Sequence, residues 1–492
     1  MARSGRPVCL RFSRVFRSRG PVPVGVIMTQ SDIAIIGAGP AGMAAAATAA
    51  RHGATVTLLD EQPRPGGQIY RDVDRVNQPR ADILGKDYQC GATLTRGLRD
   101  AGITHVKGAV VWAIEDSFTV SYTQNGQAAQ VSADRVILAT GALERPMPLP
   151  GWTLPGVMTA GAGQILLKQS GVLASNAVLV GSGPLLYLIA AQMVRAGTPP
   201  RALVETQSRY DLLRAGKHFG GALRGAGYLV KGLKLLAQII RARVPRYTAA
   251  TDITIEGDTR AEAVTFRNRG RTHRIACDTV LLHHGVVPNT QAARSIEVPH
   301  LWDNAQHCFS PVTDQWGATP VEGVFIAGDS AGIGGATVAE RAGRISALKA
   351  LEELGQISPQ ARDDLATSLL RQKAKENAVR PFLDTAYPPC AQALSPADST
   401  LVCRCEEVRA GDIRQYAKLG CLGPNQAKAF GRAGMGPCQG RYCGLSVTAI
   451  LAQENSLGPD DTGYLRIRPP IKPVTLGELA AMHQSTPADA AE

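Results

Sequence analysis

The chain has 492 residues, 44% of them hydrophobic and 5% aromatic, with 52 glycines. That length exceeds one hydrophobic core and predicts two or three domains of α/β type. The net charge of +12 does not read as a nucleic-acid footprint: half of it lies in residues 1–27, where Arg3, Arg6, Arg11, Arg14, Arg17 and Arg19 stand without an acid, and the rest shows no basic–aromatic stripe.

The arginine-rich start has the composition of an organelle transit segment. However, Met28 is followed at once by Thr-Gln-Ser-Asp and a first strand. Residues 1–29 are therefore expected to be an unstructured extension from an over-long gene start.

The first module is assigned to residues 30–150. Ile33-Ala-Ile-Ile36 reads as a buried strand, Gly37-Ala-Gly39-Pro40-Ala-Gly42 as a tight turn, the alanine-rich run to about His52 as a helix, and Val56–Leu59 as a second strand. In this pattern Gly37 permits the turn, Gly39 lets the backbone approach a pyrophosphate, and Gly42 lets helix and strand pack closely. The helix start offers free N–H groups to the phosphates. Asp60 closes the second strand, where an acid meets a ribose hydroxyl. This unit predicts dinucleotide binding. Pro65-Gly66-Gly67-Gln68 follows closely, and Val136-Ile-Leu-Ala139-Thr140-Gly141 reads as a buried strand ending in a small-residue turn.

Pro146-Met-Pro148-Leu-Pro150-Gly-Trp152 reads as a linker into an inserted module, residues 151–300. There Val178–Val180, Gly181-Ser-Gly183-Pro-Leu-Leu186 and Ala202–Glu205 echo the first unit. The third glycine is replaced by Leu186, which pushes helix from strand, so the expectation is a retained fold that does not hold NAD(P). His283-His284 on a strand would face opposite sides, one packed and one exposed, and so form no ligand pair. Val324-Phe-Ile-Ala327-Gly328-Asp329, followed by a Gly/Ala-rich helix start at Ser330–Leu348, returns the chain to the first module over residues 301–355. Residues 356–399 read as a polar helical segment and then a linker, from Pro381-Phe-Leu-Asp384 and Tyr387-Pro-Pro-Cys390 to about residue 400.

Residues 400–455 carry Cys403-Arg404-Cys405 and Cys438-Gln-Gly-Arg441-Tyr-Cys443, whereas the other six cysteines are scattered. Four thiolates suit a [2Fe–2S] cluster. Zinc is the alternative, although structural zinc sites usually present Cys-x2-Cys knuckles, and a vestigial site is another. Arg404 and Arg441 could offset a cluster's negative charge, and Cys421 reads as a buried small residue. The tail, 456–492, contains Arg466-Ile-Arg-Pro-Pro-Ile-Lys-Pro, extended and suited to packing on the body or on a partner. Its last ten residues read as disordered. The uncharged runs 33–50 and 169–194 are each broken by Gly-x-Gly-Pro and predict no transmembrane span. Ten cysteines without a signal peptide place the chain in a reducing, cytoplasmic compartment, with peripheral attachment to a membrane's inner face as a second placement. A disulfide reductase needs paired cysteines beside its cofactor. The region after the Pro-Gly-Gly loop has Cys90 alone, and the chain has no cysteine between Cys90 and Cys277.

The Gly37 fingerprint, Pro65–Gln68, Ala139-Thr140-Gly141-Ala-Leu-Glu-Arg-Pro146 and Gly328-Asp329 resemble flavoproteins of the glutathione/thioredoxin reductase type, with two dinucleotide-binding domains. Leu154-Pro-Gly-Val-Met158-Thr-Ala-Gly, Gly181–Leu186, Arg380-Pro-Phe-Leu-Asp384 and Gly434-Met-Gly-Pro-Cys438-Gln-Gly resemble more closely the larger subunit of opine oxidases and of the related hydrogen cyanide synthases and D-hydroxyproline or proline dehydrogenases. The cysteine module resembles a bacterioferritin-associated-ferredoxin-like [2Fe–2S] domain. The resemblance spans about residues 30–475. It implies an α/β fold with an added C-terminal [2Fe–2S] domain. It implies FAD held at Gly37, Gly39, Pro40, Gly42, Asp60, Gly67, Gln68, Thr140, Gly141, Gly328 and Asp329, with Asp329 on the ribityl chain, and a cluster on Cys403, Cys405, Cys438 and Cys443.

The implied activity is oxidation of the C–N bond of an amino-acid-derived amine or imino acid, of opine, hydroxyproline or proline type. Electrons would pass from flavin through the cluster to a quinone or another carrier. The implied partners are two smaller chains, one a D-amino-acid-oxidase-like flavoprotein and one a small ferredoxin-like protein. Two other readings stay open: a glycine-oxidising hydrogen cyanide synthase subunit, and an electron-transfer or NAD(P)H-diaphorase subunit without a substrate site of its own. No catalytic base stands out, as is usual where the flavin itself accepts the hydride.

Overall fold

The computed structural model describes residues 27–115 and 118–482. The arginine-rich start and the last ten residues, with the expectations about them, lie outside the described residues. Residues 27–29, assigned to the extension, belong instead to the first strand.

In chain order the first module runs β1 (Ile27–Ile36), α1 (Pro40–Arg51), β2 (Val56–Asp60), β3 (Thr104–Lys107), β4 (Val110–Ile114), β5 (Thr119–Gln124) and β6 (Gln127–Leu138). The sheet order is β3-β2-β1-β6-β5-β4, and the strand Val324–Ile326 pairs in parallel with β6. β1 lies parallel to β2 and β6, while β4 and β5 turn antiparallel. Side chains alternate between two layers, as the period of two along a strand requires. Ile33, Ile35, Leu58 and Ile137 pack with α1 and the helix Ala336–Glu353. Ala34, Ile36, Leu59 and Leu138 pack on the other side, with β4, β5 and three residues from the far end of the chain, Leu465, Ile467 and Ile471. The small side chains of α1 allow a close crossing: a Cβ on Gly343 would lie 2.0 Å from the Ala41 carbonyl oxygen.

The inserted module is built on five parallel strands in the order Arg246–Tyr247, Ala202–Glu205, Ala177–Gly181, Thr279–His283 and Val157–Thr159, beside an antiparallel three-stranded sheet over residues 251–276. Two sequence readings change here. The proline-rich segment 146–152 is not a solvated linker: Met147, Leu149 and Trp152 are buried against Val178, Val180 and Phe266. The linker expected from Pro381 begins as a helix, Arg380–Ala386, whose first turn accommodates the proline.

The C-terminal module has its own core, including Val402, Ile413, Val447, Ile450 and Leu451. The tail that follows packs on the body, where the Ile471 amide donates to the Trp112 carbonyl at 2.7 Å. No described helix is long and apolar enough to cross a membrane.

Candidate functional site

A cavity of about 340 Å³ opens at the carboxyl ends of β1, β2 and β6, the usual ligand position in such sheets. Gly37, Gly39, Pro40, Asp60, Gly67, Gln68, Thr140, Gly141 and Asp329 all line it. The two remaining residues of the expected set lie beneath it as packing glycines. A Cβ on Gly42 would sit 1.8 Å from the Gly37 carbonyl oxygen, and one on Gly328 would sit 2.8 Å from the Ala41 Cβ.

Three observations test whether a dinucleotide fits. First, a Cβ on Gly39 would meet nothing nearer than the Gly67 Cα at 3.9 Å. Packing therefore does not require a glycine there, whereas a ligand approaching the bare backbone does. Second, α1 and the helix Ala336–Glu353 both start at the cavity with glycine N-caps and no side-chain cap. Their free N–H groups suit an anionic pyrophosphate. Third, two carboxylates are held ready. Asp60 accepts from the Ala38 and Gln62 amides; burial pushes its pKa up, and those two bonds oppose the shift. Asp329 Oδ1 accepts from Gly334 N at 2.9 Å and Gly335 N at 3.0 Å, leaving Oδ2 open.

The lining also contains residues that no local motif marks. Asn289 is tied to Gly141 and Thr140 through its backbone, and its Oδ1, like Gln291 Oε1, is buried without a hydrogen-bond partner. Lys472 lines the cavity and pairs with Glu61 at 2.8 Å. Arg441, also in the lining, donates Nη1 to the Cys438 carbonyl at 3.2 Å and Nη2 to the Ile471 carbonyl at 2.6 Å. The proline-rich tail and the cysteine module thus meet at the cavity wall. The only sequence signal for this was Arg441 inside the second cysteine pair.

Cys403, Cys405, Cys438 and Cys443 come together in two pairs. Cys403 and Cys443 share a hydrogen bond that pulls the Cys403 thiol down to about 6, helped by the Gly434, Glu406 and Cys405 amides. The same bond, with burial, pushes Cys443 up. Cys405 bonds to Cys438, and burial raises its pKa. As a donor set, four cysteine thiolates are the ligands an iron–sulfur cluster takes, but the geometry brings them only into two pairs. Among the described residues no three His, Cys, Asp or Glu side chains are drawn into one metal-holding group, so the thiols meet pairwise. A Cβ on Gly436 would lie 2.2 Å from the Cys405 Cβ, which keeps the second loop close to the first. Cys421 is buried as expected, and Arg404 stacks over Trp152.

In the inserted module the acid equivalent to Asp60 is consumed. Glu205 is fully buried and takes a two-point ion pair from Arg246, plus hydrogen bonds from Tyr187 and Gln207. Leu186 is buried in the apolar layer beneath. Both His283 and His284 are buried, which corrects the expectation that one is exposed. The strand does turn them to different partners, but both sides are covered. His283 Nδ1 lies 2.6 Å from Glu144 Oε1. His284 donates Nε2 to the Pro146 carbonyl and accepts from Cys390 N, and burial holds it well below its usual range, hence neutral. Lys168 is also buried, donating to Gln68 O at 2.9 Å and Gln164 Oε1 at 2.8 Å, and burial lowers its pKa to about 7.

A family model described as pyridine nucleotide-disulphide oxidoreductase matches residues 31–343, and one described as the sarcosine oxidase A3 domain matches residues 397–483. The chain is similar to the A subunit of opine oxidase from Rhizobium meliloti (strain 1021), 44% identical over 456 residues and covering 92% of this chain and 99% of that one. It is similar to hydrogen cyanide synthase subunit HcnB of Pseudomonas protegens, 31% identical over 456 residues, covering 89% and 95%. Among solved structures, L-proline dehydrogenase from P. horikoshii matches with a TM-score of 0.68 at 18% identity, covering 92% of this chain and 80% of that one, a likeness of fold. The first family model indicates FAD.

Proposed function

This chain belongs to the pyridine nucleotide-disulphide oxidoreductase family and to that of the opine oxidase A subunit, and from that premise we propose that it is the FAD and [2Fe–2S] subunit of a multi-subunit dehydrogenase. The reaction is oxidation of the C–N bond of an opine-, hydroxyproline- or proline-type substrate to an imine. Two electrons and two protons leave the substrate, and the imine is hydrolysed. The observation that carries the reading is the junction at Arg441, where one side chain lines the cavity and bonds to Cys438.

FAD would be held by Gly37, Gly39, Pro40, Asp60, Gly67, Gln68, Thr140, Gly141 and Asp329, over the packing glycines Gly42 and Gly328. The cluster would be held by Cys403, Cys405, Cys438 and Cys443. When bound, FAD supplies a two-electron acceptor and the cluster a one-electron outlet toward a quinone or another carrier. The chain's own residues orient and shield. Asp60 and Asp329 offer oxygens to hydroxyl groups, the two helix starts neutralise phosphate charge, and Ile471 and Lys472 close the wall.

The proposed domains are 27–150 and 301–355 for FAD, 151–300 as the insert, 356–399 as helical connection, 400–455 for the cluster and 456–492 as tail. The word subunit in the relatives' names supports partners, proposed as a smaller D-amino-acid-oxidase-like flavoprotein and a small ferredoxin-like chain. The proposed location is cytoplasmic, with peripheral attachment to a membrane's inner face as the second placement. Glycine is the second substrate choice, supported by the cyanide synthase relative at lower identity.

The test is turnover of the co-purified native complex with an artificial electron acceptor. Activity with an opine, hydroxyproline or proline supports the reading, and activity with glycine alone moves it to the second substrate. A chain that purifies by itself and turns over none of these overturns it.

A further inference from the structure

Between the strands Ala202–Glu205 and Arg246–Tyr247 the inserted module carries three α-helices, Arg209–Ala215, Phe219–Arg224 and Ala226–Arg241. Eight lysines and arginines lie between Arg209 and Arg243, against Asp211 as the acid. Two of them have carboxylate neighbours, Arg214 near Asp211 and Lys231 on Asp87. Among the described residues Lys217, Arg224, Lys234 and Arg241 have no carboxylate partner.

The same helices expose apolar side chains in register. In Ala226–Arg241, Leu235 and Ile239 face inward and are buried. Val230, Leu233 and Ile240 lie three and seven residues apart, which makes one outward stripe; Leu233 is 67% exposed and Ile240 62%. Lys234 and Arg241 each follow a stripe residue and flank it. Leu213, 71% exposed, and Tyr210 repeat the arrangement on the first helix, as do Phe219 and Leu223 on the second. A helix that is apolar on its inner face and again on its outer face has something covering the outer one.

We propose that these helices seat the protein on an anionic phospholipid bilayer. The charge decides the occupant. Cations without carboxylate partners beside an exposed apolar stripe match a bilayer surface, which offers anionic headgroups to the cations and acyl chains to the stripe at the same time. The seat adjoins the cavity: Tyr228 Oη lies 3.2 Å from Thr337 Oγ1, on the first turn of the helix Ala336–Glu353 whose start lines it. Docking therefore brings the cavity rim to the lipid surface, where a membrane-dissolved acceptor is within reach. The inference adds a specific surface to the proposed peripheral location and does not rest on the C–N oxidation, because vesicle binding is read separately from turnover.

The test is flotation of the purified full chain with vesicles of phosphatidylcholine alone and with about one third phosphatidylglycerol. The expected result is binding to the anionic vesicles alone, lost at about 0.5 M salt. Binding should weaken about tenfold in Leu233→Glu and, independently, in Lys234→Glu with Arg241→Glu. Flavin content, read in parallel, identifies misfolded variants, and if one fails to fold the other decides. Absence of binding, equal binding to neutral vesicles, or unchanged binding by the folded variants overturns the proposal. So does a result in which the variants release a co-purifying protein while vesicle binding is absent, which would assign the face to a protein partner.

Discussion

Arg441 holds Ile471 across the wall of the cavity, its Nη2 donating to the Ile471 carbonyl at 2.6 Å. Through Nη1 the same guanidinium holds the Cys438 carbonyl. One side chain therefore couples the tail, the cysteine loop and the nucleotide cleft. Replacing Arg441 with Ala removes two charged hydrogen bonds to carbonyls and is expected to cost about 2 kcal/mol of stability. It should also loosen FAD. Thermal unfolding and flavin content of the purified variant check this, and unchanged values for both would show that the coupling is unimportant.

Gly39 and Gly42 separate ligand binding from packing. Gly39→Ala places a methyl group in the cavity without a clash in the protein, so it should keep the fold within about 1 kcal/mol and lose most of its FAD. Gly42→Ala drives a methyl group into the Gly37 carbonyl and should cost about 3 kcal/mol. Chemical unfolding of the flavin-free proteins, with FAD titration, reads the two effects apart.

Glu205 closes the strand Ala202–Glu205 as Asp60 closes β2, but its carboxylate is already taken by the ion pair with Arg246. NADH and NADPH are therefore expected to leave the flavin oxidised under anaerobic conditions. Arg246→Ala should not open a nucleotide site, since it strands a buried carboxylate and destabilises the fold by about 3 kcal/mol. Rapid bleaching of the wild-type flavin by either nucleotide would favour the diaphorase reading.

Lys168 links stability to pH. Its folded value of about 7 lies below the ordinary lysine value of 10.5 because burial disfavours the ammonium. Below the folded value both states are protonated and the cost is constant. Between the two values the unfolded chain holds a proton that the folded chain lacks, so stability rises with pH, by up to about 1.4 kcal/mol per unit. Lys168→Met should remove that rise. Urea unfolding of both proteins at about pH 7 and about pH 9 tests it, and equal slopes would rule the contribution out.

The first βαβ unit was readable because its evidence is local: Gly37, Gly39, Gly42 and Asp60 fall within one strand-turn-helix-strand span. The departure at Leu186 is local in the same way, a single residue of the second turn. Arg246 was not readable, because the neutralisation of Glu205 is made across 41 residues. Asn289, Arg441, Ile471 and Lys472 reach the cavity only through tertiary packing. For His283 and His284, alternation assigns sides of a strand but not what covers each side, and both sides are covered. The prolines of 146–152 suggested a linker, yet Met147 and Leu149 between them fill the inserted module's core.

The most direct test of the central claim adds an opine or imino-acid substrate anaerobically to the native complex and to the complex carrying Cys438→Ser, reading flavin and cluster absorbance together. The account predicts that wild type contains iron and sulfide at about two of each per chain and that both chromophores bleach. In Cys438→Ser the cluster signal should be missing while FAD is retained and still reduced. Iron content unchanged by Cys438→Ser, or a flavin that no amino-acid-derived substrate reduces, would contradict it.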